Sequence, residues 1–424
     1  MNIVIIGTGY VGLVTGVGLA SLGNKVTFID LDEDKIGNLN NKKLTFYEPA
    51  LDKYFEDDET FKNMEFVSSY SDIDWKDKDI VYSLNEKTFL AMSPEGDYTT
   101  ELMETYHKFI EWKINRKKLI DIKGISSLVK NLKTLEDGTI VHSFTLRTGI
   151  LYSIANIFIK NKITGVLSVN GLGYLFSNNL KAKVLKTIVK LFISRLFNNS
   201  FKTIIFQNIN DKDTFTKYSR FKGDTYLIPG SGIKIENFIK KDDYSNSKTK
   251  VIFASRLLHD KGINNYIELV NKMSDSDLDF YLAGEIDKGN PNSISVSELE
   301  KLKQLNNLTY IGPLNIEKEL HNYDISIIMS SYEGFSRILL ESLYVGLFCI
   351  SNNIPGTSWQ KEFKNSVLIN NNDVNGFINE IKGFDKNNFS KVDADTNRDL
   401  IKNKYSNDII SSKYNEIYNQ LEKY

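Results

Sequence analysis

The chain has 424 residues, 41% of them hydrophobic and 25% charged, which is the composition of a soluble globular protein and too long for a single core. Its 53 lysines and arginines against 54 aspartates and glutamates leave a formal net charge of -1, so no overall basic field argues for nucleic acid as a partner. One cysteine, Cys349, excludes an internal disulfide; no run of about 18 apolar residues would span a membrane, and the first apolar run lacks the basic flank of a signal peptide, so a cytoplasmic chain is expected.

Taken in chain order, Asn2–Ile6 reads as a strand buried on both faces, followed by Gly7-Thr8-Gly9-Tyr10-Val11-Gly12 and an apolar helix. A second strand, "KVTFID", ends in Asp30, about 20 residues past the glycines. Gly7 suits a tight turn, Gly9 a close approach of phosphate and Gly12 close helix–strand packing. The helix start would hold a pyrophosphate and Asp30 a ribose hydroxyl pair. The fold expected here is a Rossmann-type fragment over residues 1–85, able to take NAD.

From residue 86 strands and helices alternate again. "GTIVHSF", "GVLSVN", "TIIFQN" and "TYLIPGSGI" are expected strands of a domain over 86–240. "KKDDYSNSKTK" is polar and aperiodic and reads as a linker. Beyond it "VIFASRL", "DFYLAG", "LTYIG", "ISIIMS" and "LFCISN" build a second α/β domain over 248–405, with a closing helix in 406–424. Two doubly wound domains facing a cleft place ligands at the carboxyl ends of their strands. Arg256 and Lys261 follow one such strand, and two cations there suit a diphosphate. Glu333 and Gly334 precede a helix beginning at about Phe335, and Glu341 lies two turns inside it, where a carboxylate needs a partner. A ribose hydroxyl pair or a nearby lysine would serve. Cys349 lies in the apolar run "GLFCIS" and reads as a buried structural thiol.

Two resemblances follow from these motifs. "GTGYVGLVTGVGLASLGNKVTFIDLDEDKI" with "LTFYEPALDKYF" resembles the N-terminus of the UDP-glucose/GDP-mannose dehydrogenase family. The resemblance implies NAD at Gly7, Gly9, Gly12 and Asp30, and substrate near Tyr47-Glu48-Pro49. No later segment resembles that family's catalytic cysteine module. "EGFSRILLES", with its Glu-x7-Glu spacing, resembles retaining glycosyltransferases of the family-4 type and the GT-B fold. "SPEGDYTTEL", "IVHSFTLRTG", "VNGLGYLFS", "IPGSGIKIENF", "ASRLLHDKGI" and "GEIDKGNPNSIS" extend that likeness over residues 86–424. Within the family the pattern is similar to enzymes that extend undecaprenyl-diphosphate-linked sugars with an N-acetylhexosamine.

The second resemblance implies metal-independent and cofactor-free transfer of a hexose or N-acetylhexosamine from a UDP-sugar, with retention, to a glycan or polyprenyl-diphosphate-linked acceptor. Arg256 and Lys261 would neutralise the leaving nucleotide, Glu333 hold the sugar and Glu341 the ribose. Gly334, Phe335, Gly230 and Ser231 would line the cleft, Gly171 and Gly173 would face the acceptor, and Arg147 is a further substrate-binding candidate that Phe144 weakens. Three features depart from that family. Its first strand, glycine loop and helix are missing, so the opening "VIIGTGYVGLVTG" is expected either to stand in their place or to form a separate lobe. Phe144 stands where many relatives have a second histidine, which leaves His142 as a packed or capping residue. "IPGTSWQKEF" lacks the usual acid after its Pro-Gly turn. The segment 181–197 places Lys183, Lys186 and Lys190 opposite an apolar face and suits either a peripheral membrane contact or a helix covering the sheet. The alternatives to a transferase are an impaired fusion that only binds NAD or UDP, and a dehydrogenase remnant.

Overall fold

The computed structural model describes residues 2–6, 8, 10–30, 32–44, 49–69, 80–83, 89–91, 109–112, 120–135, 137–172, 194–244, 248–287, 290, 292–370, 372–386, 389 and 391–421. The chain divides into two compact units, 1–113 and 114–424.

In the first unit β1 (Asn2–Ile6), β2 (Lys25–Ile29), β3 (Met64–Val67) and β4 (Ile80–Ser83) make a parallel sheet in the order β3-β2-β1-β4. Ile3, Val4 and Ile5 are all buried, as a strand covered on both faces requires. The helix Tyr10–Ser21 turns Leu13, Val17 and Ala20 into the core beside Phe28 and Phe66. Close packing here rests on Gly16, where a Cβ would run into the Phe28 ring. β5 (Phe89–Ala91) and β6 (Phe109–Glu111) form a parallel pair.

The second unit holds two parallel sheets. β7 (Ile140–Phe144), β8 (Thr164–Val169), β9 (Thr203–Phe206) and β10 (Asp224–Leu227) run in the order β10-β9-β8-β7. The C-terminal helix Asn407–Leu421 covers this sheet, with Ile410, Ile417 and Leu421 packed on Val166, Ile205 and Ile228. β11 (Thr249–Ala254), β12 (Leu278–Ala283), β13 (Leu308–Gly312), β14 (Ile325–Ile328), β15 (Phe348–Asn352) and β16 (Ser366–Ile369) form the larger sheet, ordered β13-β12-β11-β14-β15-β16. The order reverses between β11 and β14, so a crevice opens beyond the carboxyl ends of those two strands.

The polar segment expected to be a plain linker is partly anchored. Lys241 is buried and pairs with Asp324 at 3.2 Å, and Lys386 pairs with the same carboxylate at 3.0 Å. Arg398 donates to the carbonyls of Tyr344, Val345 and Lys241, so the carbonyls that end the helix Arg337–Val345 are satisfied by a cation.

Candidate functional site

The crevice at the strand reversal is a cavity of about 230 Å³. The segment after β11 lends it Ser255, Arg256 and Lys261, and the segment after β14 lends it Ser330, Glu333, Phe335, Ser336, Arg337 and Ile338. A smaller cavity shares Phe335 and Arg337 with it and adds Gln207, Gly230, Ser231, Gly232 and Leu340. Of the residues expected at a site, Arg256, Lys261, Glu333 and Phe335 therefore line one cavity, and Gly230 and Ser231 line its neighbour.

Glu333 is held on one oxygen only. Lys261 Nζ and Ser330 Oγ both donate to its Oε1 at 2.7 Å, and among the described residues Oε2 accepts no hydrogen bond. Arg256 donates from Nη1 to Asp287 Oδ2 at 2.8 Å and keeps 63% of its side chain exposed. Asn290 donates to the same aspartate at 3.1 Å, so the "EIDKGN" loop carries the counter-charge. Glu341 finds its partner neither in a lysine nor in open cavity but one turn back. Arg337 Nε donates to Glu341 Oε1 at 2.7 Å, with the acid 8% exposed and the guanidinium 61% exposed. Burial pushes the Glu341 carboxyl up, against the opposing pull of Arg337.

The helix Arg337–Val345 begins two residues later than expected, with Ser336 as its N-cap. The Ser336 hydroxyl makes no cap bond, is buried and has no hydrogen-bond partner among the described residues, while the residue lines the cavity. First-turn amides together with that hydroxyl form an electropositive wall. Sequence reasoning missed Ser336, Arg337 and Asp287. A serine ahead of an apolar helical run is an N-cap signal, and an Arg four residues before a Glu is a helix pair.

The loop around Glu333 is tightly enclosed. A Cβ on Gly334 would collide with the Asn170 carbonyl oxygen, and one on Gly356 with the Glu333 backbone. The Pro-Gly turn that lacks an acid thus packs directly behind Glu333, and Gly356 accepts the Ser336 amide at 3.0 Å. Gly171, expected to face an acceptor, lies against the Tyr332 ring and Gly334 instead. His142 is held by Tyr418 at Nδ1 (2.6 Å) and Ser168 at Nε2 (2.8 Å) and stacks on Phe144. Burial lowers its pKa to about 4, so it is a neutral packed side chain. Arg147 opens the helix Leu146–Asn156. Gly173 and the lysines 183, 186 and 190 lie outside the described residues, as do residues 181–193 of the amphipathic segment. Among the described residues no helix is long and apolar enough to cross a membrane, and no group of three His, Cys, Asp or Glu could hold a metal.

In the first unit the Asp30 carboxylate accepts from Thr8 N (2.9 Å) and Thr8 Oγ1 (2.7 Å), and from Lys35 Nζ (3.1 Å), all at Oδ2. Among the described residues its Oδ1 takes only the Asp32 amide, at 3.2 Å. Gly12 lies in the first turn of the helix Tyr10–Ser21; Gly7, Gly9, Tyr47 and Glu48 lie outside the described residues.

Residues 1–124 match the family model of the UDP-glucose/GDP-mannose dehydrogenase family, NAD binding domain, and residues 234–407 match that of glycosyl transferases group 1. Separate segments of the chain thus match two different family models. UDP-glucose 6-dehydrogenase of Rickettsia bellii is 40% identical over 126 residues, 29% of this chain and 28% of that protein, so the chain spans little more than a quarter of that relative's length. Among solved structures, sucrose-phosphate synthase from Thermosynechococcus elongatus is similar with a TM-score of 0.61 at 15% identity, covering 99% of both chains. Anabaena HepE in complex with UDP and glucose is similar with a TM-score of 0.61 at 12% identity, covering 99% of this chain and 100% of that one. At those identities the likeness shows the fold, which is α/β of the GT-B type.

The dehydrogenase segment fits NAD. Its helix start follows β1, and Asp30 Oδ1 would accept a ribose hydroxyl while Thr8 and Lys35 fix the carboxylate through Oδ2. A bound NAD supplies a hydride acceptor; Asp30, braced by Lys35, would hold and orient its ribose, and Gly12 would let the helix pack closely on the strand. Cys349 cannot supply the thiol of a dehydrogenase: it is fully buried in β15, and burial pushes its thiol far up.

Proposed function

We propose that the transferase segment, with the sheet formed by β7–β10, is a retaining glycosyltransferase that takes a UDP-sugar. The observation that carries this reading is the half-used Glu333 carboxylate beside Lys261 at the carboxyl ends of β11 and β14. Oε1 is fixed by a cation and a hydroxyl, which leaves Oε2 to hold hydroxyls of the transferred sugar. Lys261, Arg256, the Ser336 hydroxyl and the first amides of the helix Arg337–Val345 converge on one cavity and suit a diphosphate.

The donor bond between the anomeric carbon and the diphosphate oxygen breaks with its electron pair leaving on UDP. Charge therefore grows where Lys261 and the helix start lie, and those groups stabilise it without reorganising. An acceptor hydroxyl forms the new bond on the face the nucleotide leaves, its proton departing with the nucleotide. The sugar proposed is a hexose or N-acetylhexosamine, and the acceptor a glycan or a polyprenyl-diphosphate-linked glycan; the likeness to HepE in complex with UDP and glucose supports the nucleotide. A chain that binds nucleotide without turnover is the competing reading.

Calorimetric titration with UDP and, separately, with NAD tests it. UDP is expected to bind in the micromolar range. Lys261→Ala should weaken it at least tenfold, and Glu333→Ala should retain UDP while losing transfer from UDP-glucose or UDP-N-acetylglucosamine. Binding of NAD with no binding of UDP would sink the transferase reading.

A further inference from the structure

Glu333 is flanked by two residues that a different sheet holds. Tyr332 OH donates to Asp211 Oδ2 at 2.6 Å and accepts from the Leu172 amide at 2.6 Å. Asn208 Nδ2 donates both to Asp211 Oδ2 at 2.9 Å and to the Gly334 carbonyl at 2.8 Å. Asn208 and Asp211 sit at the cap and first turn of the helix Ile209–Ser219, just past β9, and Leu172 follows β8. Both Asn208 and Asp211 are buried. The Asn208 carbonyl oxygen is itself committed to the Asp211 amide at 2.8 Å, so the side chain's orientation is set and its amide must point outward. A buried carboxylate and amide of this kind are costly unless every partner is present. Here the partners on the far side are Tyr332 and Gly334, and no other residue on the β14 loop supplies them.

We infer that Asn208, Asp211 and Tyr332 form a polar latch that positions the Glu333 loop, so that the cavity takes its binding shape only when the β7–β10 sheet grips the loop after β14. None of the three lines either of the two cavities described above; they are positioning residues, acting through Glu333, Ser330 and Ser336. The loop between β14 and the helix Arg337–Val345 carries all three of those side chains. Gly334 leaves no space for a side chain against Asn170, so the loop meets the other sheet backbone to backbone. Once the latch opens, the Asp211 carboxylate loses its Tyr332 donor and the Gly334 carbonyl loses Asn208. The open state is therefore disfavoured by buried groups on both sides, which gives two discrete arrangements in place of a graded one.

This inference rests on the transferase reading of Glu333, and its test separates the two. UDP affinity is measured by calorimetry, and hydrogen exchange over residues 330–341 by mass spectrometry, for the wild type, Tyr332→Phe and Asn208→Ala. Ile417→Val, in the core beneath the same sheet, serves as a matched loss of stability remote from the latch. Tyr332→Phe and Asn208→Ala are expected to weaken UDP about tenfold and to raise exchange in 330–341, while Ile417→Val lowers the melting temperature and leaves UDP affinity unchanged. Unchanged UDP affinity in both latch variants overturns the latch, as does a loss in Ile417→Val equal to theirs. If the wild type itself fails to bind UDP, the functional reading falls and the exchange arm decides alone: faster exchange in 330–341 sustains the latch, and unchanged exchange overturns it.

Discussion

Two acids, one just past a strand and one inside a helix, are treated in opposite ways by the two units. Asp30, past β2, is part-buried but gathers two bonds from Thr8 and one from Lys35, and these outweigh the burial that would push it up, so its pKa falls to about 2. Glu341, inside the helix Arg337–Val345, is more deeply buried and has only Arg337, so its pKa rises. Burial alone thus does not set the charge of a carboxylate; the number of donors pointed at it does. Asp30 has its donors built in and is anionic before any ligand arrives. Glu341 is under-supplied, and on the proposed transferase reading a ribose hydroxyl pair of the donor would complete it.

Removing Asp30 should break this contrast with the largest effect. Asp30→Ala leaves the buried Thr8 amide and hydroxyl without their acceptor and Lys35 without its counter-ion, at a cost of about 2–3 kcal/mol measured by chemical denaturation. The pH dependence has a definite sign. A folded-state pKa below the ordinary 3.8 means that Asp30's stabilisation is fully present above that value and is lost as pH falls from 3.8 toward 2. The variant should lose that slope. A wild-type acid limb identical to that of Asp30→Ala would show the carboxylate to be unpaired in solution.

Glu341→Gln is the smaller and opposite case. A folded-state pKa raised above the ordinary 4.5 means that this group favours the folded state most below pH 4.5, and its contribution declines as pH rises above that value. The glutamine keeps a hydrogen-bond acceptor for Arg337 and removes the buried charge. Stability near pH 7 is therefore expected to hold or to rise by up to about 1 kcal/mol, with the decline above pH 4.5 flattened. UDP affinity should fall even so, because the ribose would lose its anionic partner. A stability loss of several kcal/mol would instead mark the Arg337–Glu341 pair as a strong brace.

Much of the architecture was legible because parallel strands buried on both faces read as short apolar runs: "NIVII", "VIFASRL" and "ISIIMS" all became strands. β16 was not read, since "SVLI" is four residues long between polar neighbours. The order that places β11 beside β14 comes from pairing across more than 70 residues, which no local pattern carries. The site divides along the same line. Arg256, Lys261 and Glu333 could be singled out because each follows a strand, and all three line one cavity at the strand exits. Asp287, 31 residues from Arg256, and Asp211, 121 residues from Tyr332, are partners made by the tertiary fold. Arg337 was within reach, since its spacing from Glu341 is a helical i, i+4 pair.

Arg256 completes the contrast, with the smallest expected effect on folding and a large one on binding. Its bond to Asp287 is an exposed ion pair, and such pairs contribute about 0–1 kcal/mol because water screens the attraction and two long side chains lose freedom. Arg256→Ala should therefore shift the denaturation midpoint by no more than about 0.5 kcal/mol. A diphosphate arriving in the cavity carries more negative charge than one carboxylate and can accept two N–H bonds from the guanidinium, so Arg256 should exchange Asp287 for the ligand. UDP affinity in Arg256→Ala is expected to drop about tenfold, and Asp287→Ala should keep or improve it by freeing the cation. Equal losses in both variants would mean that the pair acts as one structural unit and that Arg256 does not leave Asp287 on binding.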